Sequence, residues 1–409
     1  MSGFIQQSAV KQASSLLPAL ALAAVAFTYA PVSQAGATFK IDDTKWLSIG
    51  AGLRTSFRAV EGASPNGDWS NNFNLDNMRL YLNAQLHKYI KIEFNTDCQT
   101  CGNGGEVRVL DAIGKFEIDP MFNVWVGRML VPAERREMNG PFYNPIYNTF
   151  NLGTPFDPAD FNTVIQDNGT SAGSYGRDDG GTIWGEFFDQ RLHYAVGFFR
   201  GLRGGANQAN NILYAQRFEY MFWGIEENPG YYTSGTYYGK AGDILTLGIS
   251  NQYQKTGAGI ETDPGNFRGT SVDLLLEKVL PEDYGVFTFN GEYKNYDITD
   301  GYSQASRDAG GGFGMFEGNS FDVSAMFLLP QEVWIGQFQP YVRYVGVYPT
   351  TSADRDQVEV GVNYVIDGHN ALIALSWQYG DLLSMGTDYT SDASGENINA
   401  ITLGFQFQI

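Results

Sequence analysis

Trp46-Leu47-Ser48-Ile49-Gly50-Ala51-Gly52-Leu53-Arg54-Thr55-Ser56-Phe57-Arg58 decides the fold class of this chain. Leu47, Ile49, Ala51, Leu53 and Phe57 alternate with Ser48, Gly50, Gly52, Arg54 and Arg58. An apolar face alternating with a charged or small one has the period of a strand. The pattern returns at once. Met78, Leu80, Leu82 and Ala84 alternate with Asn77, Arg79, Tyr81 and Asn83, and Ile90, Ile92 and Phe94 with Lys91, Glu93 and Asn95. It also closes the chain, where Ile401, Leu403, Phe405, Phe407 and Ile409 alternate with Thr402, Gly404, Gln406 and Gln408.

Sixteen segments read this way, near 46–59, 72–86, 90–96, 107–118, 122–130, 179–187, 191–201, 212–223, 243–255, 267–279, 284–296, 318–329, 338–348, 356–365, 371–380 and 397–409. Most reach the ~9–11 residues that a tilted membrane-spanning strand needs, where soluble strands stop near ~5–6. Tight turns such as His87-Lys88-Tyr89, Asp119-Pro120-Met121, Pro281-Glu282-Asp283 and Asp367-Gly368-His369-Asn370 alternate with longer Gly/Asn/Asp-rich connections at 60–71, 97–106, 131–178, 202–211, 256–266, 297–317 and 381–396. Short turns on one rim and long loops on the other are the habit of an outer-membrane barrel. Two connections break the rhythm: 224–242 is long on the short-turn side, and 349–355 is short on the long-loop side. No helical pattern stands out. The expected fold is therefore all-β, a 16-stranded antiparallel transmembrane β-barrel over 46–409 with a long, inward-folded third loop. Backbone groups in hydrocarbon must be paired within the protein, which makes closure obligatory.

Composition supports this reading. The 409 residues carry 26 Lys+Arg against 45 Asp+Glu, a net charge of -19, with 49 glycines and a 14% aromatic share. A chain so acidic lacks the basic face that a nucleic-acid partner requires. Two cysteines and three histidines offer little to a metalloenzyme, and no cofactor is expected. Residues 1–35 read as a signal peptide. Leu16 to Ala30 is apolar apart from Pro18 and Thr28, and Ser33-Gln34-Ala35 follows at the cleavage positions. Residues 36–45 would be a short periplasmic lead-in.

By parity, the inward basic residues are Arg54, Arg58, Arg79, Lys91, Lys115, Arg191, Arg217, Lys294 and Arg343. The inward acids are Glu93, Asp111, Glu117, Glu186, Glu219, Asp273, Glu277, Glu292, Asp322 and Glu359. Such a wall is nearly neutral and offers no ladder of one sign, so weak ionic selectivity is expected. Connection 131–178 is too long for a plain loop and too aromatic for disorder, with Phe142, Tyr143, Tyr147, Phe150, Phe156 and Phe161. It is expected to fold into the barrel and narrow it, with Glu134, Arg135, Arg136 and Glu137 at the narrowest point. A lid outside the pore is the alternative.

Cys98-Gln99-Thr100-Cys101 lacks the following His of a haem site and the further ligands of a zinc site, which leaves a small structural disulfide. His87, His193 and His369 are scattered, and no hydrolase triad forms from them. Asp388, Asp392 and Glu396 offer a divalent-cation site bridging lipopolysaccharide, or simply a solvated acidic loop.

Three stretches resemble the phosphate-selective porin O and P family in its broad sense. They are Gly127-Arg128-Met129-Leu130-Val131-Pro132, then Arg177-Asp178-Asp179-Gly180 with Trp184-Gly185, and Glu359-Val360-Gly361-Val362-Asn363-Tyr364 before the 367–370 turn. The resemblance implies a sixteen-stranded, usually trimeric diffusion channel of the bacterial outer membrane, surrounded by lipid and lipopolysaccharide. The wall lacks the basic ladder of phosphate-selective members, so phosphate specificity is not carried over. The expected function is passive diffusion of small hydrophilic solutes or ions, without enzymatic chemistry. The alternative is a sheath housing a partner such as a multihaem cytochrome in a trans-envelope electron conduit.

Overall fold

A computed structural model describes residues 36–98, 106–150, 176–301, 303–308, 317–385 and 388–409. The signal-peptide reading of 1–35 lies outside these residues. Sixteen long strands form one closed antiparallel sheet. They are β1 (Trp46–Val60), β2 (Ser70–His87), β3 (Ile90–Asp97), β4 (Arg108–Asp119), β5 (Phe122–Leu130), β6 (Arg177–Phe187), β7 (Leu192–Phe199) and β8 (Leu213–Met221), followed by β9 (Ile244–Ile260), β10 (Asp263–Val279), β11 (Val286–Thr299), β12 (Gly318–Leu328), β13 (Gly336–Pro349), β14 (Arg355–Asp367), β15 (Ala371–Gly380) and β16 (Ile398–Gln408). Each pairs with its sequence neighbours, and β16 returns to β1, with Thr402 opposite Arg58 and Gln408 opposite Gly52. Closure leaves no open edge along the wall. Below the point where β16 ends, Ala37–Lys40 pairs with Trp46–Ile49 and covers the exposed foot of β1.

The alternation read in the sequence is the alternation of the wall. On β1, Ile49, Ala51 and Leu53 are exposed on the outer face, while Ser48, Gly50, Gly52 and Arg54 are buried on the inner one. The short-turn rim carries exposed outer aromatics, among them Phe188, Tyr284 and Trp334. The amphipathic rings of Tyr284 and Trp334 suit a bilayer interface. An outer face this apolar is stable only in hydrocarbon. Leu375, half exposed at the middle of β15, gives a direct test. Leu375→Arg should cost about 2–4 kcal/mol of folding stability in bilayers, as cations at the midplane of a barrel do. A folding titration in liposomes measures the loss.

Two expectations change, and one unassigned connection finds its course. Connection 256–266 is not a loop, because β9 and β10 run on to a tight hairpin at Glu261-Thr262, pairing Ala258 with Gly265 beyond a bulge at Gln254. Helix is present: α1 (Arg135–Tyr143), α2 (Gln304–Asp308) and α3 (Leu382–Met385) all lie in connections, and none is long and apolar enough to cross a bilayer. Connection 224–242, the odd one on the short-turn rim, runs from the end of β8 to the start of β9 and folds against the inner wall.

Candidate functional site

The segment that follows β5 leaves the wall at Leu130 and passes inside it. From Val131 to Thr149 every residue but Tyr143 is buried. α1 forms here although Gly140 breaks its helical geometry at φ 64, a left-handed value that glycine adopts without a Cβ penalty. Pro141 follows and prevents a regular continuation. The backbone groups left open are satisfied from the wall. Gln252 donates to the Pro132 carbonyl (3.0 Å), Arg217 to Ala133 (3.0 Å), Gln406 to Phe142 (2.9 Å) and Asn363 to Pro145 (2.8 Å), and Arg54 donates to Tyr147. Wall glycines make room for the aromatics. A Cβ on Gly52 would sit 2.8 Å from the Phe142 ring, and one on Gly404 would sit 2.6 Å from the Tyr147 ring.

The four residues expected at the narrowest point are all buried, and Glu134, Arg135 and Arg136 form ion pairs with the wall. Arg135 forks onto Glu226 (2.7 and 2.9 Å), faces Asp273 (3.5 Å) and donates to the Ser234 carbonyl (2.9 Å). Arg217 neutralises Asp273 (2.5 Å) and Glu219 (2.8 Å) beside it. Burial alone would lower the Arg135 pKa. The carboxylates of Glu226, Glu219 and Asp273 outweigh that and raise it. Glu134 meets Lys294 (2.5 Å), and Arg136 meets Asp322 (2.9 Å), which Arg343 also grips (2.7 Å). Glu137 is fully buried within α1.

The far wall pairs its own charges. Arg79 binds Asp97 (2.7 Å), and Lys91 binds Glu117 (2.6 Å). Lys115 binds Glu93 and lies 3.9 Å over the Trp125 ring. Arg177 binds Asp111 (2.7 Å). Asp97 and Arg177 extend the strands beyond their expected ends, which is why neither was counted as a lumen charge. Arg58 is half-buried on β1. Arg191 is not a wall residue. It sits in the turn between β6 and β7 and donates to the carbonyls of Met221 and Trp223 (both 3.0 Å). Cys98 is buried and disulfide-bonded, while Cys101, its expected partner, lies outside the described residues. Among the described residues no cluster of His, Cys, Asp or Glu could hold a metal, the acidic loop around Asp388, Asp392 and Glu396 included.

Sequence reasoning assigned no role to the connection 222–243. It stacks on α1 from the short-turn rim. Thr233 N–H donates to Met138 (3.2 Å) and Gly235 N–H to Tyr143 (3.0 Å), while Thr233 Oγ1 donates to Arg135 (2.8 Å), each to a carbonyl. Glu277 on β10 accepts from Thr236 Oγ1 (2.6 Å) and Gly239 N–H (2.8 Å). Across the barrel, His369 Nε2 lies 2.9 Å from the Thr236 carbonyl and 3.1 Å from Ser234 Oγ, with its ring between Tyr143 and Tyr238. Its length on the wrong rim, together with Tyr231-Tyr232-Thr233-Ser234-Gly235-Thr236-Tyr237-Tyr238, was the available signal.

No family model and no curated protein matches this chain in sequence. Solved structures match its fold. An anion-selective porin from Comamonas acidovorans superposes with a TM-score of 0.58 at 13% identity, over 89% of this chain and 100% of that one. The high-pH structure of Pseudomonas putida OprB gives 0.53 at 8% identity, over 89% and 94%. In-vitro folded OmpT of Vibrio cholerae, in trimer form, gives 0.52 at 13% identity, over 90% and 100%. The chain thus has the sixteen-stranded barrel fold of bacterial outer-membrane porins.

Proposed function

We propose that this chain is an outer-membrane porin, a passive diffusion channel for small hydrophilic solutes or ions, narrowed from inside by the connection 131–178. The observation that carries the reading is the two-faced wall. Its apolar outer face fits lipid, and its inner face carries polar side chains from every strand around segment 131–150. Sixteen strands enclose a lumen too wide for wall side chains alone to fill. Residues 151–175, the rest of the connection, lie outside the described residues.

Selectivity is weak in this account. The inward arginines and lysines sit on carboxylates or carbonyls of the wall and the segment, which leaves little free charge of either sign to sort ions. For the same reason phosphate selectivity, the hallmark of the family the sequence resembles, is not part of the proposal. Assembly as a homotrimer in lipid and lipopolysaccharide is. A sheath for a cytochrome would need an empty lumen, and here the wall's hydrogen-bonding groups hold the protein's own segments.

Liposome swelling tests the proposal. Proteoliposomes should admit small sugars at rates that fall steeply with solute size, and small amino acids of opposite charge at similar rates. Folded protein that admits no solute would overturn it.

A further inference from the structure

We infer that the connection 222–243 is a second constriction, which enters from the short-turn rim and latches α1 across the lumen. This rests on the diffusion-channel reading. The other connections on that rim have two to seven residues, while this one leaves β8 after Met221 and rejoins β9 at Ile244. A link between adjacent strands does not need such length. The surplus spans the barrel, from its own strands to the turn between β14 and β15 that carries His369.

The latch is polar. Glu226 takes both arms of the Arg135 fork, and the N–H groups of Thr233 and Gly235 cap carbonyls of α1. Glu277 holds the descending limb, and Asn290 donates to the Gly235 carbonyl (2.9 Å). Separating both partners of such buried pairs into water returns the hydration each lost on burial, so the contact suits a removable closure better than an apolar core would. α1 itself is only nine residues long with a break at Gly140. A helix that short is not stable unsupported. Its position in the lumen therefore depends on the wall groups that hold Arg135, Arg136 and Phe142 and on the segment packed beneath it.

The test compares three forms of the full barrel in planar bilayers: wild type, Glu226→Ala, and a variant in which 226–241 is replaced by a short Gly/Asn turn. A parallel readout uses Thr288→Cys, a fully buried inner-wall position beside Glu277, and its rate of modification by a small water-soluble maleimide. The inference predicts a severalfold conductance increase on shortening, a smaller one in Glu226→Ala, and faster labelling of Thr288→Cys in both. Should the shortened barrel fail to fold, Glu226→Ala alone decides, since Arg135 keeps Asp273 as a partner. Wild-type conductance with unchanged slow labelling in the variants would overturn the inference, as would rapid labelling in the otherwise unaltered chain. Faster labelling in barrels that never conduct would uphold the plug and remove the diffusion-channel reading instead.

Discussion

Arg135→Ala is expected to lower the stability of the folded barrel by about 3 kcal/mol, the low end of what breaking a buried ion pair costs, and to raise its conductance. The large effect follows from what the substitution leaves behind. Arg217 still neutralises Asp273 and Glu219. Among the described residues, Glu226 loses the guanidinium that held both its oxygens and keeps the Tyr237 hydroxyl (2.8 Å) and the Asn228 amide (3.4 Å). A buried carboxylate so poorly compensated must protonate or draw in water, and either loosens the segments on both sides. Arg135→Lys should recover part of the loss, because it restores the charge without the two-pronged geometry. Denaturant unfolding in detergent measures the first effect and planar bilayers the second. Equal midpoints for Arg135→Ala and wild type would mean that α1 is held by something other than this pair.

The second large effect is acid-induced. Burial lowers the His369 pKa from an ordinary 6.5 to about 4; the Thr236 carbonyl works against this, and the nearby Lys240 adds to it. The Phe142 backbone also opposes the shift; Ser234, Tyr143 and Tyr238 lie against the ring as well, and none of these groups carries a formal negative charge. The sign follows from proton linkage. Between pH 6.5 and 4 the released imidazole binds a proton and the packed one does not. The packed state therefore keeps its full stability above pH 6.5 and loses it progressively as pH falls toward 4, by about 3 kcal/mol in all. Conductance should rise over that window. His369→Gln keeps a donor for the Thr236 carbonyl without a titrating ring, so the rise should flatten in that variant. An identical pH profile for both proteins would assign the acid response to the carboxylates of the wall.

The barrel was legible because each strand is a local pattern. The period of two in Trp46–Arg58 or Ile401–Ile409 needs no knowledge of the partner strand, and parity then separates one face of each strand from the other. Arg191 escaped this because one residue beyond a strand end there is no face to belong to. The hairpin at Glu261-Thr262 was hidden by its own composition. Gly257, Gly259 and Gly265 read as loop, yet cross-strand pairing holds such residues in a ladder once neighbours are extended.

The interior was harder to read, for a physical reason. Segment 131–150 is fixed by side chains that lie far away in sequence, such as Gln252, Asn363 and Gln406, whose amides look like any other inward polar residue. Its aromatic content signalled burial, and Gly52 and Gly404 gave the sockets, but only the register of sixteen strands brings them together. Helix α1 left no trace because Gly140 and Pro141 argue against it locally, and tertiary contacts override that preference. The inward course of 222–243 was signalled only by a length out of keeping with its rim.

Planar-bilayer conductance of the purified, folded protein across a KCl gradient tests the central claim most directly. A porin narrowed from both ends by ion-paired segments should show small, stable steps and a reversal potential near zero, with little response to added phosphate. A barrel that never conducts at neutral pH or on acidification would contradict the channel. Large steps with strong selectivity for one sign would contradict the closed, charge-paired interior.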